Sequence, residues 1–397
     1  MKLFVSCIPY DGGKSGISVY VREVVRELCR QGHELTLLVE PSGGPPSSAA
    51  ETDAQERVPP VIHAPRWTRR PVLSMLWHLF VLPFWIRRHR KEFDGFVICA
   101  ANRRVCAWYP LPTTATVHDL ANFHVSGKYS RLRMFYLAHV LPHFAKKAHR
   151  LVAVSGATKA DMVKFWKCRE DAVTVLYNGL SENCSQMIIG TNVHKSQMAN
   201  VDICGNGDNC EQLRFVNNGS ILYISRIEHP GKNHVRLIEA YGRLPRAVAE
   251  AHPLVIAGAD WKDAETVHAA AAASPHAAFI RFTGFVPAGE MEKLWGEAGF
   301  YVFPSLFEGF GLSLVEAMAR GIPCACSNNG SLGEIAGDAA ITFNPESAGE
   351  IADALERLLG ESAEDRQTRV IRGREWITRF SWADHAAGLV KLLEGAA

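Results

Sequence analysis

Short apolar runs alternate with segments of helical period along most of the chain. Leu3 to Ile8 reads as a strand, Ser18 to Arg30 as a helix with Val21, Val24, Val25 and Leu28 on one face, and Leu35 to Val39 as the next strand. Gly32 stands just past the helix, where a left-handed cap ends it. A right-handed crossover between these strands makes them parallel. The alternation restarts at Ile221 to Ile224 and continues through Leu254 to Ala257, Phe279 to Thr283 and Gly299 to Pro304. It predicts an α/β chain with two parallel sheets.

Two stretches interrupt the pattern. Residues 41–60 are rich in Pro, Ser, Gly and Ala, residues 181–219 are rich in Asn and Gly, and both read as mobile surface loops. The second separates the two series. We therefore expect an N-terminal domain over 1–185, a linker or insertion over 186–218, a C-terminal domain over 219–378, and a final helix over 379–397 that packs back on the N-terminal domain. A chain of 397 residues, 47% of them hydrophobic, is large enough for two such cores.

Charge sharpens this division. Residues 1–180 hold 25 Lys and Arg against 14 Asp and Glu, and residues 181–397 hold 18 against 27, so the halves carry +11 and −9. The first half is suited to an anionic surface, although solvated faces explain the same excess. No RNP, zinc-finger or helix-turn-helix pattern accompanies the basic residues, and nucleic acid is not an expected partner. Ten cysteines at irregular spacing, with no C-x-x-C, read as scattered thiols of a reducing compartment. The opening Met1 to Pro9 has no signal-peptide pattern, which also points to the cytoplasm.

Two segments could meet a membrane. Arg66 to Arg70 and Arg87 to Lys91 bracket sixteen mainly apolar residues, Pro71 to Ile86, interrupted by His78 and Pro83. A spanning helix needs ~20 apolar residues, so this one is too short. Trp67, Trp77 and Trp85 with flanking arginines suit the headgroup boundary, but a buried helix with basic ends explains the same letters. Arg131 to Arg150 is a second basic, aromatic helical pattern open to both readings.

Candidate chemistry concentrates between Phe303 and Pro323. An apolar strand ends at Pro304, Gly309 and Gly311 make a turn, and a helix runs from about Leu312 to Arg320 until Gly321 stops it. Backbone N–H groups at Gly311, Leu312 and Ser313 can hold a phosphate, helped by the helix dipole. Glu308 in the loop and Glu316 on the helix can each accept hydrogen bonds from hydroxyls of a different ring, as a sugar and a ribose joined by a diphosphate would offer. Further upstream, His229-Pro230-Gly231 has Pro and Gly where a type II turn needs them, and the turn folds Arg226 and Lys232 toward one spot. His118 and Asp119 close the strand Thr114 to Val117 at the edge where open α/β sheets bind ligands. Surface charges, a solvated loop and a core histidine are the bland alternatives.

The string Phe-Glu-Gly-Phe-Gly-Leu-Ser-Leu-Val-Glu-Ala-Met-Ala-Arg-Gly-Ile-Pro, with Glu308 and Glu316 as E-x7-E, resembles the signature of family 4 retaining glycosyltransferases of the GT-B fold. Other matches follow the family's order over nearly the whole chain: V-H-D-L at 117–120, V-A-V-S at 152–155, Y-N-G at 177–179, I-S-R at 224–226, K-N at 232–233 and F-T-G-F at 282–285. The resemblance implies two Rossmann-like domains facing across a cleft, the first on the acceptor side and the second binding the nucleotide sugar. It implies that Glu308 binds donor sugar hydroxyls and Glu316 the ribose, with Gly309, Phe310, Gly311, Leu312 and Ser313 as the surrounding binding loop. Arg226 and Lys232 would clamp the diphosphate. The family more often spaces that pair by five positions, and here the spacing is six. Gly13 and Gly16 of the opening glycine loop would approach the donor phosphates, His118 would contact the donor sugar, and Asp119 would orient His118 or its loop.

The implied reaction is transfer of a hexose with retention, from a GDP- or UDP-linked sugar to a glycan or lipid-linked acceptor. Similarity to bacterial surface-polysaccharide mannosyltransferases favours mannose from GDP-mannose. No D-x-D occurs, so neither a metal nor another cofactor is expected. The expected place is the cytoplasm, with peripheral attachment to the cytoplasmic face of the inner membrane if the basic segments bind lipid. A sugar-nucleotide 2-epimerase of the same fold and a non-enzymatic membrane-surface scaffold are the alternatives. Gly13-Lys14-Ser15 is no Walker loop, because the glycine required five residues earlier is Ile8, and no G-x-G-x-x-G supports an NAD enzyme.

Overall fold

The computed structural model describes residues 1–8, 10–13, 15–46, 59–125, 131–181, 184–185 and 219–396. The expected linker at 186–218, most of the loop at 41–60, and Lys14 lie outside these residues. The chain divides into two compact units, residues 1–179 with 380–397, and residues 180–379.

The first unit holds a seven-stranded sheet: β1 (Lys2–Ser6), β2 (Glu34–Val39), β3 (Val61–His63), β4 (Gly95–Ile98), β5 (Thr113–Val117), β6 (Arg150–Ala153) and β7 (Val173–Val175). All pairs are parallel, in the order β3-β2-β1-β4-β5-β6-β7. The second unit holds β8 (Ser220–Ile224), β9 (Leu254–Ala257), β10 (Ile280–Gly284), β11 (Ala298–Phe303), β12 (Cys324–Ser327) and β13 (Ile341–Phe343), parallel in the order β10-β9-β8-β11-β12-β13. Helices cover both faces of such sheets, so the central strands do not alternate between buried and exposed positions, and β4, β5, β9, β11 and β12 are buried at every position. The strands read from the sequence end within a residue or two of these bounds.

Two glycines end helices as the sequence suggests. Gly32 follows the helix Gly16–Arg30 with φ 80°, and Gly321 follows Leu312–Ala319 with φ 71°. In each case the next N–H reaches back five residues, His33 to the Leu28 carbonyl and Ile322 to that of Ala317. The last helix, Trp382–Glu394, packs on Gly16–Arg30 within the first unit. Gly179 lies against the Trp382 backbone and ring, where a Cβ would overlap both, which explains the glycine of Tyr177-Asn178-Gly179.

The basic aromatic segments are helices with one wide turn each. Leu82 N–H donates to the Trp77 carbonyl and Leu141 N–H to that of Tyr136, both i→i−5 bonds, directly before Pro83 and Pro142. Proline has no N–H and crowds the carbonyl four residues back, so widening the turn lets the helix run through it. The Leu79 carbonyl that Pro83 leaves unserved accepts instead from Ala107 N–H at 2.9 Å. The second helix ends at Ala145; residues 146–149 turn instead of continuing it, and Arg150 opens β6, whose residues Leu151 to Ala153 are buried. No described helix is long and apolar enough to cross a membrane.

Candidate active site

In the second sheet the strand order reverses at β8, which lies between β9 and β11. Loops leaving neighbouring strands at such a switch point diverge and open a crevice at the carboxyl edge. The loop after β8 carries Arg226 and Lys232, and the loop after β11 carries Glu308. Leu306 N–H ties the two loops by donating to the Gly231 carbonyl at 3.0 Å. Across this junction Lys232 Nζ lies 2.6 Å from Glu308 Oε1, with the side chains only 22% and 17% exposed. A shielded, charge-assisted contact of this length holds both groups in one geometry and keeps each from being an unpaired charge.

The backbone under this pair is fixed by side chains that sequence reasoning passed over. Tyr223, buried on β8, donates to the Lys232 carbonyl at 2.8 Å and accepts from Ser305 Oγ at 3.1 Å. Asn233 Nδ2 donates to the carbonyls of Pro304 (2.9 Å) and Pro345 (2.7 Å). Ser331 N–H and Oγ both donate to the Glu308 carbonyl, at 3.2 and 3.0 Å. The expected type II turn is not what forms. Gly231 lacks the positive φ that such a turn requires, and the turn closes at Pro230–Asn233 through Asn233 N–H to the Pro230 carbonyl (2.9 Å). Asn233 itself takes the left-handed conformation, φ 62°, which asparagine tolerates and its two carbonyl partners hold. The adjacency of Lys232 and Asn233 was legible, but Asn233's role as the pin between three loops was not. Arg226 is held differently: it is 42% exposed, with its guanidinium 5.1 Å over the Trp261 ring and 3.7 Å from Glu228 Oε2.

After Glu308 the chain turns into Leu312–Ala319. Gly311 precedes it with φ 99°, and a Cβ there would come within 2.6 Å of Leu332 Cδ2, so both conformation and space call for glycine. Leu314, Val315, Ala317 and Met318 are buried, leaving Ser313 and Glu316, three residues apart, on the more open side. Tyr301 donates to Ser313 Oγ at 2.7 Å. The helix start, with Gly309, Phe310, Gly311 and Leu312 leading into it, presents first-turn N–H groups and the positive end of the dipole beside Glu308.

In the first unit, Gly12 and Gly13 take positive φ (77° and 87°), and Gly13 N–H donates to Ser18 Oγ at 3.0 Å. Gly16 opens the following helix, whose N-cap is Ser15. His118 directly follows β5 and is buried; its Nε2 donates to the Cys99 carbonyl at 2.7 Å, so the neutral ring carries its proton there and keeps Nδ1 as an acceptor. Burial pushes its pKa down to about 4, with the Cys99 hydrogen bond and Asp119 opposing. His118 is thus neutral at pH 7, and Asp119 caps the next turn through Ala121 N–H (3.1 Å). Tyr20 meets the His118 ring edge-on at 4.5 Å. A chain of bonds sets the orientation of Tyr20: Thr116 donates to Tyr20 (2.9 Å), Tyr20 donates to His385 Nε2 (2.9 Å), and His385 Nδ1 donates to the Tyr177 carbonyl (2.9 Å). Nothing in the local pattern around residue 118 signals that a histidine 267 positions later belongs to its surroundings.

The family described as "Glycosyltransferase Family 4" matches residues 14–183, and "Glycosyl transferases group 1" matches residues 197–376. The chain is 26% identical over 271 residues to the O-antigen chain mannosyltransferase B of Escherichia coli, covering 67% of this chain and 66% of that protein. It is 26% identical over 296 residues to the serotype-specific mannosyltransferase WbdA of the same organism, covering 72% of this chain and 34% of WbdA. It therefore spans just under two thirds of the first relative and about a third of the second. Among solved structures, Anabaena Alr3699/HepE in complex with UDP-glucose superposes over the full length of both chains with a TM-score of 0.68 at 16% identity, a likeness of fold. Two family matches in sequence order, each on one parallel α/β unit, place this chain among the GT-B-fold glycosyltransferases, related to the bacterial mannosyltransferase and glycosyltransferase families.

Proposed function

We propose that this enzyme moves mannose from GDP-mannose, with retention of the anomeric configuration, to a glycan or lipid-linked acceptor. The observation that carries the reading is the Lys232–Glu308 contact beside the start of the helix Leu312–Ala319. It gathers a cation, a carboxylate and a helix N-terminus within one unit, the set that a sugar diphosphate needs. In the resting site Lys232 and Glu308 neutralise each other. A bound donor would share Lys232 with its diphosphate while Glu308 accepts from sugar hydroxyls and Glu316 from the ribose. Arg226, held over Trp261, is the second cation for the diphosphate. From the first unit the reading takes His118, whose neutral ring offers an acceptor nitrogen, with Asp119, Gly13 and Gly16 shaping its loops.

In the proposed step the anomeric C–O bond to the diphosphate breaks while the acceptor hydroxyl bonds to the same face of the sugar. The hydroxyl proton passes to the departing phosphate oxygen, so no enzyme base is consumed. Charge on the leaving nucleotide is met by Arg226, Lys232 and the helix N-terminus, preorganised electrostatics of order 3 kcal/mol. Mannose is favoured because the E. coli relatives named above are mannosyltransferases, and guanine is taken from the resemblance to surface-polysaccharide transferases that use GDP-mannose. We further place the acceptor on the cytoplasmic face of the inner membrane, a reading supported by the +11 charge of residues 1–180.

Thermal shift against a panel of nucleotide sugars tests the donor. A ligand at 100 times its dissociation constant stabilises by about 2.7 kcal/mol, and GDP-mannose should stabilise more than UDP-glucose at equal concentration. A larger shift with UDP sugars would replace the donor assignment. Donor consumption with and without acceptor then separates transfer from epimerisation, since an epimerase needs no acceptor.

A further inference from the structure

Large exposed apolar side chains cluster in one stretch of the first unit: Trp67, Val72, Leu76, Phe80, Val81 and Phe84. The helical stretch Pro71–Arg88 is apolar on two sides. Trp77, Leu79, Leu82 and Ile86 are buried in the core beneath the sheet, while Val72 and Phe84 are each 62% exposed on the other side. In a regular α-helix a row at four-residue spacing winds away by about 40° per step. The wide turn at Trp77–Val81 takes back part of that angle, which leaves Leu76, Phe80, Val81 and Phe84 all facing solvent.

The rim of this face is cationic. Arg66, Arg69 and Arg70 precede it, Arg87, Arg88 and Arg90 follow it, and all six are exposed. No Asp or Glu occurs between Glu56 and Glu92. Beside it, Val81, Phe84 and Trp85 line an open hollow together with Arg87 and Arg88. The second basic helix has the same construction: Val-Leu-Pro at 140–142 matches 81–83, an aromatic follows two residues after each proline (Phe144 and Trp85), and a pair of exposed cations comes next, Lys146-Lys147 and Arg87-Arg88. Ala107 links the two helices, its N–H donating to the Leu79 carbonyl (2.9 Å) and its carbonyl accepting from Lys147 Nζ (3.4 Å).

We propose that this face docks on an anionic lipid bilayer, with Leu76, Phe80, Val81 and Phe84 entering the acyl boundary and the flanking arginines meeting lipid phosphates. The inference rests on the membrane-side reading above and adds the surface that performs it. Charge complementarity selects the occupant. A second copy would bring an equally cationic rim against this one, whereas an anionic bilayer supplies both the counter-charge and an apolar phase.

The test is co-sedimentation of the full chain with vesicles of phosphatidylglycerol and phosphatidylcholine, and of phosphatidylcholine alone, across a salt series, with sedimentation velocity on the vesicle-free protein. Wild type should partition onto the anionic vesicles and release with salt. Phe80→Ser with Phe84→Ser should weaken partition roughly tenfold or more, and Arg87→Gln with Arg88→Gln about tenfold or more at low salt. These side chains are exposed, and an unchanged melting temperature confirms that the variants fold. Wild type ignoring anionic vesicles overturns the proposal. So does a Phe80→Ser/Phe84→Ser variant that binds like wild type, or self-association that this variant abolishes. Failure to turn over any nucleotide sugar would sink the transferase reading alone, because partition is read without donor.

Discussion

The two sheets share one strand order around their switch points, β3-β2-β1-β4-β5-β6 in the first unit and β10-β9-β8-β11-β12-β13 in the second, yet they equip those edges with opposite chemistry. The second unit keeps its charges at the crevice, where Lys232 and Glu308 face each other on loops pinned by Tyr223, Asn233 and Ser331. The first unit holds a neutral His118 at its strand edge, buried against Tyr20 and Cys99 with Asp119 beside it, and carries six exposed arginines on the helical stretch Pro71–Arg88 and its flanks. Topology therefore decides where a site can be, and the loop residues decide which chemistry it offers.

The strongest way to break this comparison is to remove the second unit's charges. Glu308→Ala and Arg226→Ala should each lower kcat/KM by roughly 10² or more, with the fold intact by circular dichroism. Near-normal turnover in either purified variant would end the assignment of donor chemistry to these loops.

Acid should act on the first unit instead. His118 and His385 titrate near 6.5 when unfolded and at about 4 in the fold, both held down mainly by burial. The unfolded chain therefore binds more protons between those values, and stability is full above pH 6.5 and lost as pH falls toward 4. One such histidine costs about 2 kcal/mol by pH 5. Denaturant melts from pH 7 to 5 should show this slope, and His118→Gln should flatten it. Hydrogen exchange at pH 5 should report opening of β5 and the helix Trp382–Glu394 before β8 and β11. The reverse order would show that the second unit's His234, pushed down to about 3, dominates.

A smaller effect isolates positioning from contact. Ser331 donates twice to the Glu308 carbonyl, so Ser331→Ala should cost about 1 kcal/mol of stability and reduce kcat more than it raises KM. A change confined to stability would make Ser331 a packing residue only. The smallest expected effect is none at all. With two cations and a helix N-terminus offered to the leaving group, activity should survive excess EDTA, and loss restored by Mg²⁺ or Mn²⁺ would overturn that reading.

Much of this molecule was legible in one dimension because its signals are local. Short runs with little charge located seven of the thirteen described strands to within a residue or two, since a parallel strand buried on both faces is mostly apolar. Gly32 and Gly321 marked helix ends because a left-handed cap demands glycine. The run from Phe303 to Pro323 announced a strand, a phosphate-suited turn and two carboxylates.

Other features depend on partners far along the chain. The sequence suggested that Arg226 and Lys232 converge through a type II turn; tertiary contacts instead set Lys232 on Glu308 and Arg226 over Trp261, and placed the left-handed residue at Asn233. Periodicity carried the second basic helix to Arg150, but pairing with β5 drew Arg150 to Ala153 into the sheet. For the helical stretch Pro71–Arg88, composition left burial and exposure open, and packing chose both, one apolar side in the core and one in solvent. The sequence by itself determined the fold class and which residues could do chemistry, because backbone preferences and apolar periodicity act over a few residues. Only the tertiary structure decided which of those residues meet, because hydrogen-bond partners and burial are set by segments that the sheet order brings together from tens to hundreds of positions apart.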